Sequence, residues 1–443
     1  MKKLQIPNST VKIILVGVLI LLFLIPVSLI KNLIHDRRIY QKEAIQSITE
    51  PLGGETEIQG MVIAVPYKVY KTSYDSNKNK IIETEIKYVI FAPSAYQLDI
   101  DVNPYYLTRG IFKVPVFTGS INLNAEFSKF DYSYFDIDEK DVLKNDALLI
   151  LGLSNTKNLT GEPEINLKNK SLSISPVRYD KISPFKTSVF YNLSGLDFAQ
   201  NLELSGSIGF QGGENIKLYP IASNNAFSMK SAWKAPGFSG GWLPVKRDIS
   251  DEGFTASWNI AGLSTVYPKS WLSESKFISE SVDVSFIVPV DAYKKTERSI
   301  KYALLFLVIP FIALLISEVF SKKRIHPVQY CLIGFADIIF YLLLLSVSEH
   351  LSFDLTYFIC ALSVSLATLF YASAIFRNFK WGSLVTGVQL VSYIFLYGTL
   401  QAEDYALLIG SIGLFVVVVL LMIITRKIDW YSLNQTEEVP PQN

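Results

Sequence analysis

Residues 302–320 read YALLFLVIPFIALLISEVF, an apolar run in which Glu318 is the only charged side chain. A helix of that length, at ~1.5 Å per residue, crosses a hydrocarbon core of ~30 Å. Four more runs of about 19 to 22 residues follow closely: Val328–Ser348, Leu355–Phe376, Gly382–Leu400 and Tyr405–Thr425. Their short connections predict a compact five-helix transmembrane bundle over residues 302–425. One comparable run lies far upstream. Ile13–Ile30, IILVGVLILLFLIPVSLI, carries no charge and follows Lys2, Lys3 and Lys12. A signal peptide has the same basic start, but the residues after Ile30 run from Lys31 to Arg38 without a small-residue cleavage pattern. The reading is therefore an uncleaved anchor. Six spans are expected in all.

The composition agrees. Half of the 443 residues are apolar (50%), 18% are charged, and the mean hydropathy is +0.29. That balance excludes an ordinary soluble enzyme and a disordered chain. Lysine and arginine number 41 against 40 acids, so no global field points to nucleic acid. The short loops set the expected orientation. Lys322, Lys323 and Arg324 follow the second span, Arg377 and Lys380 the fourth, and Arg426 and Lys427 the sixth, whereas the alternate loops carry Glu349, Asp354, Glu403 and Asp404. By the positive-inside rule both termini, 1–12 and 426–443, are cytoplasmic, and residues 31–300 face outside. Arg37 and Arg38 oppose this locally, although a long translocated domain weakens the rule there.

Residues 31–300 hold 30 basic and 31 acidic side chains and no cysteine. A domain of this size buries enough apolar surface without disulfides. Apolar and polar residues alternate through Glu57–Lys71, Ile81–Phe91, Tyr96–Val102, Ile111–Phe127, Glu164–Ser175, Phe190–Ser207 and Val282–Val290, the period of half-buried strands. Asp138–Asn145 reads as the one short helix. The expected fold is an all-β, sandwich-like exported domain set between an N-terminal transmembrane helix and the five-helix bundle. Ile58–Tyr70 and Val282–Tyr293 share an alternating strand with Val-Pro before a tyrosine, which fits either a duplication or two strands that pair.

The chain withholds most catalytic signatures. Gly237-Phe238-Ser239-Gly240-Gly241 matches a nucleophile elbow in form, but Trp242-Leu243-Pro244 opposes the helix that must follow, and residues 36–300 contain no histidine base. A glycine-rich β-turn is the expected identity. His326 and His350 flank one span and stand roughly 36 Å apart along a helix, too far to share a metal. No phosphate loop, dinucleotide fingerprint or paired-cysteine motif occurs, so no enzyme activity and no cofactor is expected. Cys331 and Cys360 lie inside spans and read as packing residues. Asp337 lies mid-span, where a carboxylate is costly, and reads either as a relay or as a hydrogen-bonded lock between helices. Glu349, His350, Glu403 and Asp404 form an outer rim, either a docking edge or solvated loop ends. His326 completes the candidate set.

Arg324-Ile325-His326-Pro327-Val328-Gln329-Tyr330, YLLLLSVSEH (341–350), QAEDYALLIGSIGLF (401–415) and the tail from Thr425 to Tyr431 resemble the CreD family of bacterial inner membrane proteins. GMVIAVP (60–66), ALLILGLS (147–154), FSGGWLP (238–244) and GFTASW (253–258) extend the resemblance through the exported part. Asp337 falls in none of these motifs. The resemblance implies a cell envelope integrity protein of the Gram-negative inner membrane, with expression tied to the CreBC two-component system and an association with colicin tolerance and β-lactam response. It implies no catalytic residue. The expected function is envelope support through a periplasmic or inner membrane partner bound by the β domain, with the bilayer as the other partner. The alternative is a transporter or lipid-handling bundle, for which Pro310, Gly334 with Asp337, and Gly387 are the hints. No pattern indicates an oligomeric state.

The topology is testable directly. In a variant without Cys331 and Cys360, single cysteines at Lys323 and Arg377 should resist an impermeant thiol reagent in intact spheroplasts, while one at Ser352 is labelled; reversal of that pattern refutes the orientation.

Overall fold

The computed structural model describes residues 8–74, 80–168, 170–177, 179, 181–195, 198–275, 277, 280–286, 292–402 and 405–426. The first element is a single helix, α1 (Asn8–Thr49), of 42 residues, ~63 Å long. It continues well past Ile30, where the sequence pattern ended the anchor. The physical reason is that Lys31–Thr49 contains neither glycine nor proline and keeps Leu33, Ile34, Ile39, Ala44 and Ile45 at near-helical spacing, so nothing interrupts propagation. Pro51 and the left-handed Gly53 (φ 93°) end it. A second departure lies at the other boundary. Ala292–Lys301 (α2), expected within the β region, is helical, with Tyr293, Thr296 and Ile300 buried along one face.

The chain divides into two compact units, residues 1–41 with 290–443, and residues 42–289. In the first, α3 (Ala303–Ser321), α4 (Pro327–Ser348), α5 (Phe353–Phe376), α6 (Phe379–Gln401) and α7 (Ala406–Thr425) follow one another through short turns. Together with α1 they make six helices long and apolar enough to cross a membrane. Lys322 and Arg377 close α3 and α5 in the left-handed conformation. Phe23 of α1 is fully buried, with its ring 5.9 Å from Phe311 and 5.0 Å from Phe335. It fills the space left by Gly334, where any side chain would collide with it. Gly382 likewise lets α6 approach the backbone of Ser373 on α5. No residue of α7 is buried, so this helix lies at the periphery of its unit.

The second unit is two eight-stranded sheets. One runs in the order Pro236–Gly240, Val282–Phe286, Asn215–Leu218, Thr56–Tyr74, Lys80–Phe91 and Ser270–Leu272, with Leu148–Leu153 paired to Thr56–Tyr74 off this path and Thr187–Asn192 paired in turn to Leu148–Leu153. The other runs Lys246–Ser250, Gly253–Ala261, Asn224–Ser231, Ala95–Arg109, Phe112–Phe127, Leu202–Gly213, Glu164–Leu167 and Lys170–Ser171. Rings from the two sheets meet between them. Phe117 lies 4.9 Å from Phe286, and Phe238 lies 6.0 Å from Trp258. One apolar core therefore sits between two sheets, which is a sandwich.

Several local expectations change. Phe190–Ser207 is two strands with a connection between them, and the ladder of Glu164–Ser175 is confined to Glu164–Leu167 and Lys170–Ser171. Asp138–Asn145 forms two separate 3-10 turns, Glu139–Asp141 and Lys144–Asp146, because Val142 between them is extended. The elbow-like glycine motif lies in the edge strand Pro236–Gly240 instead of a turn, and Gly240 (φ 90°) sits where a Cβ would strike the Ser281 carbonyl. Ile58–Tyr70 and Val282–Phe286 do not pair, since Asn215–Leu218 separates them; residues 287–291 lie outside the described residues. Leu148–Leu153 is buried throughout, so it shows a continuous apolar run with no alternation to read.

Phe117 is fully buried and also touches Phe210 at 6.0 Å. Phe117→Ala should cost about 3–5 kcal/mol and lower the calorimetric midpoint of the sandwich by about 10 °C, with the helical transition unchanged.

Candidate functional site

Asp337 is buried midway along α4. Its Oδ1 accepts hydrogen bonds from Gln389 Nε2 (2.5 Å) and Tyr393 OH (3.1 Å), one turn apart on α6. Tyr393 also receives, at its carbonyl, the Tyr357 hydroxyl of α5 at 2.6 Å. The carboxyl thus joins α4 to α6, and Tyr357 joins α5 to the same point. Among the described residues Asp337 Oδ2, Gln389 Oε1 and Tyr341 OH make no hydrogen bond. The recoverable sequence signal was the i, i+4 spacing of Gln389 and Tyr393 inside an apolar span, which places both on one helix face.

The more complete polar cluster is one the sequence reading did not select. Glu318 of α3 accepts from Lys12 Nζ, from the Ile325 amide (2.9 Å) and from Tyr330 OH (2.8 Å). Lys12 also donates to the Ile325 carbonyl at 2.9 Å. A buried carboxylate needs both a countercharge and donors for its remaining lone pairs, and here α1, the α3–α4 turn and α4 each supply one.

The remaining predicted residues are not brought together. His326 caps α4: its Nδ1 accepts from the Val328 amide at 3.3 Å, and Gln329 Oε1 accepts from the His326 amide at 2.9 Å. That capping box, with Pro327 in the first turn, explains the residue locally. Glu349 lies at the opposite end of α4 and accepts from Tyr293 OH of α2 (2.9 Å), with Arg37 Nε of α1 at 3.4 Å. A second pair, Arg38–Glu297 at 2.5 Å, ties α1 directly to α2. Arg37 and Arg38, which read as a topological anomaly, are thus ion-pair donors. His350 is exposed, and Glu403 and Asp404 lie outside the described residues. No group of three metal-ligating side chains occurs among the described residues.

In the sandwich, the solvent face of the second sheet carries small polar side chains in register. A recess of about 600 Å³ is lined by Asp99, Asp101, Asn122, Ser228, Lys246 and Thr255 among others. Ser228 Oγ donates to Asp99 Oδ1 at 2.6 Å, and Lys230 pairs with Asp101 at 2.9 Å. Alternation made the polar positions of Ala95–Arg109 and Phe112–Phe127 legible, whereas Asn224–Ser231, Lys246–Ser250 and Gly253–Ala261 fall outside the runs read as strands, and no local pattern gives the strand order.

Six apolar helices, with a two-sheet domain inserted after the first, define a multi-span membrane protein carrying a large non-membrane domain. The family model for Inner membrane protein CreD matches residues 8–431, and the chain belongs to that family of inner membrane proteins. It is 28% identical to Inner membrane protein CreD of Escherichia coli (strain K12) over 420 residues, which is 94% of this chain and 92% of that protein. Solved structures are far more distant. The M1 zinc metallopeptidase from Deinococcus radiodurans gives a TM-score of 0.23 at 8% identity, over 44% of this chain and 42% of the enzyme, so the match spans less than half of that protein. A putative protease from Parabacteroides distasonis ATCC 8503 gives 0.21 at 10% identity, over 68% and 59%. Scores this low carry no argument about this chain.

Asp337→Asn keeps an oxygen for both donors and should leave the thermal midpoint of the detergent-solubilised protein within about 1 kcal/mol of its starting stability. Asp337→Leu preserves volume but strands Gln389 Nε2 and Tyr393 OH, a cost of about 1–3 kcal/mol for each orphaned group. A scanning fluorescence melt of both variants separates the two outcomes.

Proposed function

We propose that this inner membrane protein supports cell envelope integrity by binding a polar periplasmic partner through its β domain, with the helices as anchor and frame. The observation that supports this reading most is the recessed face of the second sheet. It presents hydroxyls, amides, carboxylates and lysines across strands covered on their other face by the sandwich core, and so offers a rigid hydrogen-bonding surface. The bundle's charged groups fit the role of a frame. Glu318, Glu349 and Glu297 each face a cation from α1, and their bonding is accounted for by holding helices together. The orientation assumed is that of the basic short loops, with the β domain in the periplasm.

A second reading, lipid handling by the bundle, is favoured by an apolar groove of about 1000 Å³ between α3, α6 and α7, lined by Ile312, Phe320, Val391, Phe395, Val416 and Leu420 among others. A groove of that kind accommodates an acyl chain. It lies in a part of the molecule that is in contact with lipid on either reading, so it weighs less than the recess.

The two separate in a complementation assay under an envelope stress that requires the protein. Asn122→Arg with Thr255→Arg, which fills the recess, should abolish tolerance at normal membrane abundance, while Asp337→Asn retains it. A dead Asp337→Asn beside an active recess variant would overturn the partner-binding reading in favour of the bundle.

A further inference from the structure

The long hairpin of the second sheet outruns its neighbours. Phe112–Phe127 pairs with Leu202–Gly213 only as far as Val116↔Gly213, and Ala95–Arg109 pairs with Asn224–Ser231 only as far as Val102↔Ser231. Beyond Tyr105↔Val116 the two strands pair only with each other, from Tyr106↔Pro115 to Arg109↔Phe112. The turn between them uses Gly110 in the left-handed region (φ 61°). Residues 105–111 are exposed without interruption, whereas Val114, Pro115 and Val116 on the returning strand are buried, so it is the outgoing strand and the turn that stand open. An exposed two-stranded ribbon is normally polar. This one carries Tyr105, Tyr106, Leu107 and Ile111, exposed by 39, 51, 38 and 41%. Tyr106 stands 5.5 Å from Trp233, which steadies the ribbon where it leaves the sandwich.

Its charge is one-sided. Residues 103–116 read NPYYLTRGIFKVPV, with Arg109 and Lys113 and no acid. The other long hairpin of the domain is different: Lys71, Lys80 and Lys87 alternate there with Glu83 and Glu85, and Lys71 pairs with Glu85 at 2.5 Å. Position supplies the third observation. Thr49, the last residue of α1, packs over Gly213, and the Phe286 amide bonds to the Glu214 carbonyl at 2.8 Å. The chain therefore enters and leaves the sandwich beside Gly213 and Glu214, the level at which the hairpin departs from the sheet. The tip projects from the end of the domain that is tied covalently to the membrane helices.

We propose that the Tyr105–Ile111 tip is a membrane-interface anchor that seats its aromatic and aliphatic side chains among anionic phospholipid headgroups. Tyrosines suit the headgroup level, where one end of the ring is apolar and the other wet. Leucine and isoleucine enter the acyl boundary. Arg109 and Lys113 complement phosphate, and their apolar stems lie along the lipid. The proposal does not rest on the partner-binding recess, which lies elsewhere on the same sheet.

The test uses full-length protein lacking Cys331 and Cys360, reconstituted in vesicles of phosphatidylethanolamine and phosphatidylglycerol. A nitroxide is attached to Leu107→Cys, Ile111→Cys, Ile82→Cys or Leu263→Cys in turn. Power saturation then compares collision with oxygen, which concentrates in lipid, and with a water-soluble nickel chelate. At Leu107 and Ile111 oxygen accessibility should exceed nickel accessibility several-fold, with the order reversed at Ile82 and at the fully exposed Leu263. Adding Arg109→Glu and Lys113→Glu should remove the oxygen excess at both tip sites. Tip labels that see nickel as Leu263 does, or that are shielded from both reagents by protein, would overturn the proposal. So would an oxygen excess that survives the charge reversal, because anionic headgroups would then not be what the tip recognises. Two independent tip positions keep the result readable if one variant is poorly expressed.

Discussion

Glu318 is the point on which the helical unit turns. A carboxylate buried beside apolar helices is tolerated only when a countercharge and donors reach it. Its countercharge, Lys12, is 306 residues away in sequence. The whole β domain is inserted between the two. That single requirement draws α1 to α3 and α4, and Phe23 then packs against Phe311 and into the space at Gly334. The Arg37–Glu349 and Arg38–Glu297 pairs repeat the solution further along α1. A chain that leaves the helical unit for some 250 residues is thus returned to it by ion pairs and by the packing of one aromatic ring, Phe23, against Phe311 and Phe335.

Asp337 answers the same constraint differently. Among the described residues no cation pairs with it, and its hydrogen bonds come from neutral donors, Gln389 and Tyr393. Neutral donors on α6 cross-link helices at mid-span without introducing a second charge. The contrast separates the roles of the two acids. Glu318 joins the distant α1 to the C-terminal helices, and Asp337 organises those helices among themselves.

The sandwich meets a simpler demand. Two twisted sheets bury one aromatic-rich core, and every strand that faces solvent on one side shows the corresponding alternation. Where the pattern is broken, tertiary contacts explain it. Leu148–Leu153 is covered on both faces and loses its alternation, and residues 105–111 of the long hairpin are exposed without interruption and keep apolar side chains at the surface.

Much of this architecture was legible in the residues alone, because a hydrocarbon core of ~30 Å imposes a length and a composition that no other environment demands. The six apolar runs, the β texture between the first and second, and the family motifs from GMVIAVP to QAEDYALLIGSIGLF all follow from local pattern. The full extent of α1 was less clear, since the sparse apolar residues of its polar half, Leu33, Ile34, Ile39, Ala44 and Ile45, are too diluted by charged and polar neighbours to mark its end. The pairing of the buried acids was not legible: nothing near Glu318 in the sequence points to Lys12, and the i, i+4 spacing of Gln389 and Tyr393 marks a polar helix face without pointing to Asp337. Sheet order was equally hidden, so Asp99 and Asn122 read as unrelated polar positions on separate strands, and Ser228 and Thr255 lay outside the segments that alternation marked as strands. Local sequence determines what each segment must be, because burial and periodicity act within a few residues. Which charges neutralise one another, and which strands share a face, is decided only in the tertiary structure, because electrostatic pairing and sheet register act between segments that the chain separates by hundreds of residues.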